Sequence, residues 1–295
     1  MRPHAGRLVY PVALGLVAVL LTGCWDRIEV NDLAIVKGIA LDRAGPNAIE
    51  LTVALTVPAN VTPPGSPGGP EAASPLANHA AQGSTVMEAT SVLQEKLSRR
   101  LFWAHASVIL IGEELARDGV APVLEFFSRQ RQPRLRMVVG VVPGRAADVL
   151  ATMTPLEVET PEAIREMSTF RTGVFVTLRE FLIMVAAEGE EPVAARVENV
   201  RTGAVQPGGP MDPTVSPLQE GPLQPAITGT AVFKGDRLVG WLDDHETRGL
   251  LWLRDELATA TVTVPLGDSR WVSFEMIRAM TQLQPRFAGD RIVME

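Results

Sequence analysis

Two Pro- and Gly-rich stretches constrain the fold before anything else does. Between Pro58 and Gly83 stand Pro63, Pro64, Gly65, Pro67, Gly68, Gly69 and Pro70. Between Gly203 and Pro225 stand Pro207, Gly208, Gly209, Pro210, Pro213 and Pro217. Proline lacks a backbone N–H and fixes its own φ, so neither run continues a helix or a β-ladder. The 295-residue chain is therefore expected to place a loop at 58–83 and an interdomain linker at 203–225. A Gly-rich run also invites a phosphate-loop reading, but no Gly-Lys-Ser/Thr follows it and no strand-to-helix context surrounds it.

Outside these stretches, periodicity predicts alternating strands and helices. The mostly apolar run Leu33–Asp42 reads as a buried strand. In the next, Ile49, Leu51, Val53 and Leu55 share one face, and a turn at Gly45-Pro46-Asn47 makes the two a hairpin. Thr85 and Glu88 form the pattern of a capping box, opening a helix that carries Val86, Ala89, Leu93 and Leu97 and runs to Arg100. A strand at Ala106–Gly112, a helix at Val120–Arg129, a strand at Arg136–Val142 and a short helix at Ala146–Ala151 follow. Helices near Pro161–Met167 and Val174–Ala187 and a strand at Val193–Val200 complete the first part. Past the second Pro/Gly stretch, Gly235-Asp236 between two extended runs is a hairpin signal. Asp243 or Asp244 then caps a helix, and strand-like pieces follow at Ala258–Val264 and Arg270–Ile277. This order predicts a mixed α/β (α+β) fold, with mixed sheets flanked by helices in two or more domains. The domains fall at 24–202 and 226–295, and the second is expected to be incomplete at Glu295.

The first 23 residues read differently. Arg2 and Arg7 precede an apolar run, Leu8–Leu21, that leads into Leu21-Thr22-Gly23-Cys24. A basic start, a short apolar stretch and small residues at a cut site mark a secretory signal peptide, here 1–23. The run is too short to span a bilayer comfortably, since a spanning helix takes about 20 residues; the alternative is an uncleaved N-terminal membrane helix with a chance cysteine. Cys24, the sole cysteine, then offers its thiol for a diacylglyceryl group, giving a mature chain anchored to membrane lipid. Removing residues 1–23 leaves 25 basic against 34 acidic residues, net −9. That acidic balance argues against a nucleic-acid partner.

Few residues suggest chemistry. His245-Glu246 begins a zinc-protease pattern, but Gly249 occupies the place of the second histidine. The acids Asp243, Asp244 and Glu246 suit a helix start by capping and dipole. His105 reads as a hydrogen-bonded residue at a strand start, and Trp241, Trp252 and Trp271 as packing aromatics. Neither a cofactor motif nor metal-ligand spacing is present. The most informative polar feature is the run Arg129, Arg131, Arg134 and Arg136, with Arg99 and Arg100 upstream. It is either a solvated face with local ion pairs or a docking patch for anionic headgroups or an acidic partner surface.

Several segments, taken in order, resemble one family. They are Cys24-Trp25-Asp26-Arg27-Ile28-Glu29; Gly38-Ile39-Ala40-Leu41-Asp42; Arg100-Leu101-Phe102 with His105; and Ile111-Gly112-Glu113-Glu114-Leu115-Ala116. Phe126-Phe127-Ser128-Arg129, Arg134 and Gly144 follow, then Gly229-Thr230-Ala231-Val232-Phe233-Lys234, Leu238-Val239-Gly240-Trp241-Leu242 and Glu246-Thr247-Arg248-Gly249. The pattern resembles the Ger(x)C lipoproteins, the C subunits of bacterial spore nutrient-germinant receptors. The resemblance implies a non-enzymatic subunit on the outer face of the spore inner membrane. Its implied partners are the integral-membrane A and B subunits, and no cofactor is implied. The chain departs from the family in the richness of the 58–83 loop and in stopping at Glu295, where family members continue. The alternative from the residues alone is a lipid-anchored protein that binds a small solute.

Overall fold

The structure, a computed structural model, describes residues 29–56, 76–154, 157, 159–170, 173–204, 219–257, 260–267, 270–277, 280–289 and 291–294. The expected signal segment, 1–23, and Cys24 lie outside the described residues. Met1–Leu33 and Ala34–Glu295 form separate compact units. The described part of the first is a 3₁₀ turn, Val30–Asp32.

The second unit is organised by one ten-stranded mixed sheet. The hairpin reading holds: β1 (Leu33–Gly45) pairs antiparallel with β2 (Ala48–Thr56), and Gly45 faces Ala48 across the turn. β1 is also parallel to β5 (Val108–Gly112), β5 to β6 (Val138–Val142), and β6 to β8 (Val193–Ala204). Every residue of β5 and β6 is buried. Ile109, Ile111, Val139 and Val141 pack on one side; Val108, Leu110, Val138 and Val142 pack on the other. Alternate side chains thus enter two cores, as a parallel strand covered on both faces requires. Each such side chain contributes about 1.5–3 kcal/mol.

Five helices cover the first face: α1 (Val86–Glu95), α2 (Glu113–Asp118), α3 (Ala121–Arg129), α6 (Leu178–Ala186) and α7 (Asp244–Leu253). α4 (Ala146–Leu150) and α5 (Thr160–Thr169) cover the second. They approach closely because Gly38 has no side chain: a Cβ there would lie 2.5 Å from Pro161 Cγ. α1 starts where expected, with Thr85 Oγ1 accepting the Glu88 N–H at 3.2 Å, but Glu88 reaches back to Ser84 N–H at 2.7 Å, not to Thr85. It ends at Glu95, short of Arg100. Gln94 ends it by donating to the Arg99 carbonyl at 2.8 Å and accepting the Leu101 N–H at 2.9 Å. That sets up the short strand β4 (Arg100–Phe102), which pairs with β1.

The loop expected over 58–83 is corrected at its end. Residues Leu76–Gly83 form β3, antiparallel to β2 from Thr56↔Leu76 to Ile49↔Gly83. Small residues such as Ala77, Ala80 and Ala81 give no large apolar alternation; the open edge of β2 supplies the hydrogen bonds instead. The stretch expected as a linker, 203–225, is likewise strand at both ends. β8 runs to Ala204 and β9 spans Gln219–Lys234, with Ala204 opposite Gln219. β10 (Arg237–Leu242) completes the Gly-Asp hairpin and the edge of the sheet. This hairpin is fixed to earlier segments by Phe233, whose ring meets Phe181 edge-on at 5.1 Å, and by Asp236. Asp236 accepts the Val120 N–H through its carbonyl at 2.9 Å and the Ala121 N–H through Oδ2 at 3.3 Å, capping α3. A short β7 (Val176–Thr177) pairs with β6. Two hairpins stand apart from the main sheet: β11 (Ala260–Pro265) with β12 (Trp271–Met276), and β13 (Pro285–Ala288) with β14 (Arg291–Met294).

One buried acid ties the sheet to α4. Asp42, near the end of β1, is 3% exposed, and its carboxylate accepts the N–H groups of Ala146 at 2.7 Å and Ala147 at 2.9 Å. Desolvation raises its pKa above the usual carboxylate range, although these two bonds and the nearby Arg145 charge pull it down. Gly112 makes room for it, since a Cβ at that position would lie 2.2 Å from Asp42 Oδ1. Asp42→Ala leaves both N–H groups without an acceptor and should lower the unfolding free energy by about 1–3 kcal/mol. Urea unfolding of the detergent-solubilised chain measures this as a lower midpoint at unchanged slope. An unchanged midpoint would show that the cap is dispensable.

Candidate functional site

The parallel strands give the sheet two distinct ends. Segments that enter β5 and β6 arrive at the amino end, the end at which β1 also begins. Residues 95–107, which close α1 and lead into β5, carry Lys96, Arg99 and Arg100. Residues 125–137, which close α3 and lead into β6, carry Arg129, Arg131, Arg134 and Arg136. The two loops are joined by Gln132, whose Oε1 accepts the Trp103 N–H at 3.3 Å. Trp103 is 6% exposed and stands edge-on to Phe126 and Phe127, at 6.5 and 6.0 Å between centroids. The second loop is also held from its far side: the Leu135 carbonyl accepts the Arg179 N–H at 2.8 Å, and the Met137 carbonyl accepts the Leu178 N–H at 2.8 Å. The arginines therefore project from loops fixed by a packed aromatic cluster and backbone bonds.

Their charge is largely free. Arg129 pairs with Glu125 one turn back on α3, an exposed pair worth about 0.3–0.5 kcal/mol. Arg99, Arg100, Arg131, Arg134 and Arg136 make no ion pair among the described residues. The opposite end of the sheet behaves otherwise. There Arg43 pairs with Asp118, Arg117 with Glu113 at 2.7 Å, and Arg145 with Glu50. The local ion-pair reading of the arginine run thus holds for Arg129 alone among the four.

Other residues singled out in the sequence have structural roles. Asp243 and Glu246 form a reciprocal capping box at the start of α7, with bonds of 2.8 and 3.0 Å, and Arg248 pairs with Asp244 at 3.0 Å. Among the described residues, no group of three or more His, Cys, Asp and Glu could hold a metal ion. His105 is exposed in a 3₁₀ turn, Trp103–His105, with its ring tilted on Phe102 at 5.8 Å; among the described residues no side-chain hydrogen bond holds it. Trp241 is half-buried under the Arg196 guanidinium, 5.3 Å from its ring. Trp252 and Trp271 are not core residues: they are 45% and 68% exposed.

One feature was not visible in the sequence. A groove of about 530 Å³ lies between β7, α6 and the end of α7, bounded by Thr177, Glu180, Ile183, Glu190, Arg254 and Glu256. Its size suits a small molecule. Its charges, however, are already engaged. Arg254 meets Glu256 at 3.0 Å and Glu190 at 4.0 Å, and Glu180 accepts the Thr177 N–H at 2.7 Å.

If the arginines serve the surface and not the core, Arg131→Ala, Arg134→Ala and Arg136→Ala should each change the unfolding free energy by less than about 0.5 kcal/mol. Urea unfolding checks this. A loss above about 1 kcal/mol would assign the residue to the fold.

Comparison with known proteins fixes the lineage. A family model described as spore germination protein N-terminal domain matches residues 26–199, and one described as spore germination B3/GerAC like, C-terminal, matches residues 228–295. In Bacillus subtilis (strain 168), the spore-germination relative YfkR is 35% identical over 244 residues, 81% of this chain and 59% of that protein. Spore germination protein KC of the same strain is 27% identical over 289 residues, 95% of this chain and 70% of that one. Spore germination protein B3 is 25% identical over 273 residues, 90% of this chain and 66% of that one. The chain spans less than two thirds of YfkR, 59% of its length. The crystal structure of the GerBC protein superposes with a TM-score of 0.43 at 20% identity, over 87% of this chain and 68% of that one, a likeness too low to carry an argument. With two segments matched in order, and the first covering more than half of the residues, the chain belongs to the GerAC-like family of spore germination proteins.

Proposed function

We propose that the chain is a lipid-anchored, non-enzymatic subunit of a spore nutrient-germinant receptor. It is held by a diacylglyceryl group on Cys24 at the outer face of the spore inner membrane and acts through contacts with the integral-membrane A and B subunits. The observation that carries this reading is the family match, which begins at residue 26, two residues after the cysteine of Leu21-Thr22-Gly23-Cys24. No helix among the described residues is long and apolar enough to cross a membrane. The cysteine that ends Leu21-Thr22-Gly23-Cys24 supports attachment by lipid. The clustered acids are occupied in caps and ion pairs, which supports a role in contact over one in catalysis.

A solute-binding role is the second reading, and the groove beside α6 is the observation in its favour. Its internal ion pairs weigh against it, because a ligand would have to displace Arg254 from Glu256. Titration calorimetry with amino acids and sugars separates the readings: saturable heat from the isolated chain would favour solute binding.

Cys24→Ala should move the protein from the membrane to the soluble fraction of spore lysates and abolish co-purification of the A and B subunits with it. Retention of the variant in membranes would mean that residues 1–23 remain as an uncleaved anchor. Retention of the lipidated protein in membranes without either subunit would overturn the receptor reading while leaving the lipid anchor intact.

A further inference from the structure

The distribution of free charge about the sheet has a geometric partner in the chain path. Cys24 lies nine residues before Leu33, the first residue of β1. A chain of that length reaches at most about 30 Å. The lipid is therefore tethered within that distance of the end of β1 at which the arginine loops also emerge. Residues 95–107 and 125–137, side by side at the starts of β5 and β6, together carry seven Lys and Arg against Glu95 and Glu125, a net +5; residues 187–192, which enter β8 at the same end beyond β6, carry Glu188, Glu190 and Glu191. The tether's Asp26, Arg27, Glu29 and Asp32 sum to −2, less than half of that +5 in magnitude.

We infer that the part of the amino end formed at β1, β5 and β6 rests on anionic lipid headgroups, with Arg99, Arg100, Arg131, Arg134 and Arg136 facing the phosphates and the Glu188–Glu191 segment before β8 turned from them. This deepens the proposed function and rests on its lipid anchor. A guanidinium presents a planar fork of donors that fits phosphate oxygens. Basic side chains near an anionic surface add attraction that decays within a Debye length, about 8 Å at physiological salt. Because the tether keeps the body near the bilayer, that attraction sets which end faces it. The ion pairs of Arg43, Arg117 and Arg145 leave the opposite end with little comparable attraction. Two signals, the lipid and a basic patch, also hold a protein at a membrane more firmly than either alone.

The test reads orientation in the full-length lipidated chain. Acylation blocks the sole native thiol, so a single introduced cysteine can be labelled with a fluorophore. One variant carries it at the arginine end, Gln130→Cys; the other carries it in the β1–β2 turn at the opposite end, Asn47→Cys. Both positions are exposed. Each is placed on vesicles of phosphatidylcholine alone, and of phosphatidylcholine with equimolar phosphatidylglycerol, containing a headgroup-attached nitroxide quencher. On the anionic vesicles the label at position 130 should be quenched several-fold more than the label at 47. The difference should shrink on neutral vesicles and at about 1 M salt, where the Debye length is about 3 Å. Replacing Arg131 and then Arg134 by Ala should each reduce the oriented population about fivefold. Equal quenching at both ends, or quenching that ignores lipid charge, would overturn the inference. So would Arg131→Glu with Arg134→Glu abolishing co-purification of the membrane subunits while leaving quenching unchanged; that result gives the arginines to a protein partner. Failure of the anchor itself reads differently: the chain does not float with either kind of vesicle, and Cys24 takes up label.

Discussion

Parallel pairing of β1 with β5, and of β5 with β6, forces the chain to enter all three strands at one end of the sheet. The rest of the molecule is arranged around that constraint. α1 and α3 must return across the sheet before the next strand begins, so their C-terminal turns and the loops after them gather at the amino end. α4 starts at the other end, where Asp42 holds its first N–H groups. The alternating Val, Ile and Leu of β5 and β6 fill two cores at once, which fixes the register. A slip of one residue would exchange the cores facing α3 and α4.

The same constraint separates the charges. At the carboxyl end, arginines and acids from different segments meet and neutralise one another, as Arg43 does with Asp118 and Arg145 with Glu50. At the amino end the loops entering β5 and β6 bring arginines with few acids, while the segment entering β8 brings Glu188, Glu190 and Glu191. Fold packing does not require those arginines: the loops are already held by Trp103 among phenylalanines and by backbone bonds to α6. Free charge on a rigid mount is suited to contact with something outside the chain, and under the proposed tether through Cys24 the nearest large surface is the membrane.

Local signals in the sequence were legible where their partners are close along the chain. The Pro46-Asn47 turn, the Thr85 cap and the Gly235-Asp236 hairpin each involve neighbours, and each element forms at its expected place. Signals that act over distance were not legible. Asp42 caps a helix 104 residues away and Asp236 one 115 residues away, so neither stands out from an ordinary turn acid. β3 has no apolar alternation of its own and forms on the edge of β2. The strand ends inside 203–225 exist because β8 and β9 support each other across the intervening segment. Of the candidate site, the arginine run was readable from composition, but its freedom from ion pairs depends on which loops the parallel strands bring together.

Hydrogen exchange of the full lipidated chain, read by mass spectrometry on anionic vesicles and in neutral detergent micelles, tests the two-ended arrangement most directly. The amino-end loops, 96–101 and 129–137, should gain protection on the vesicles, while 43–49 and 143–148 at the opposite end should exchange as they do in micelles. Protection confined to 43–49 and 143–148, or equal at both ends, would contradict it.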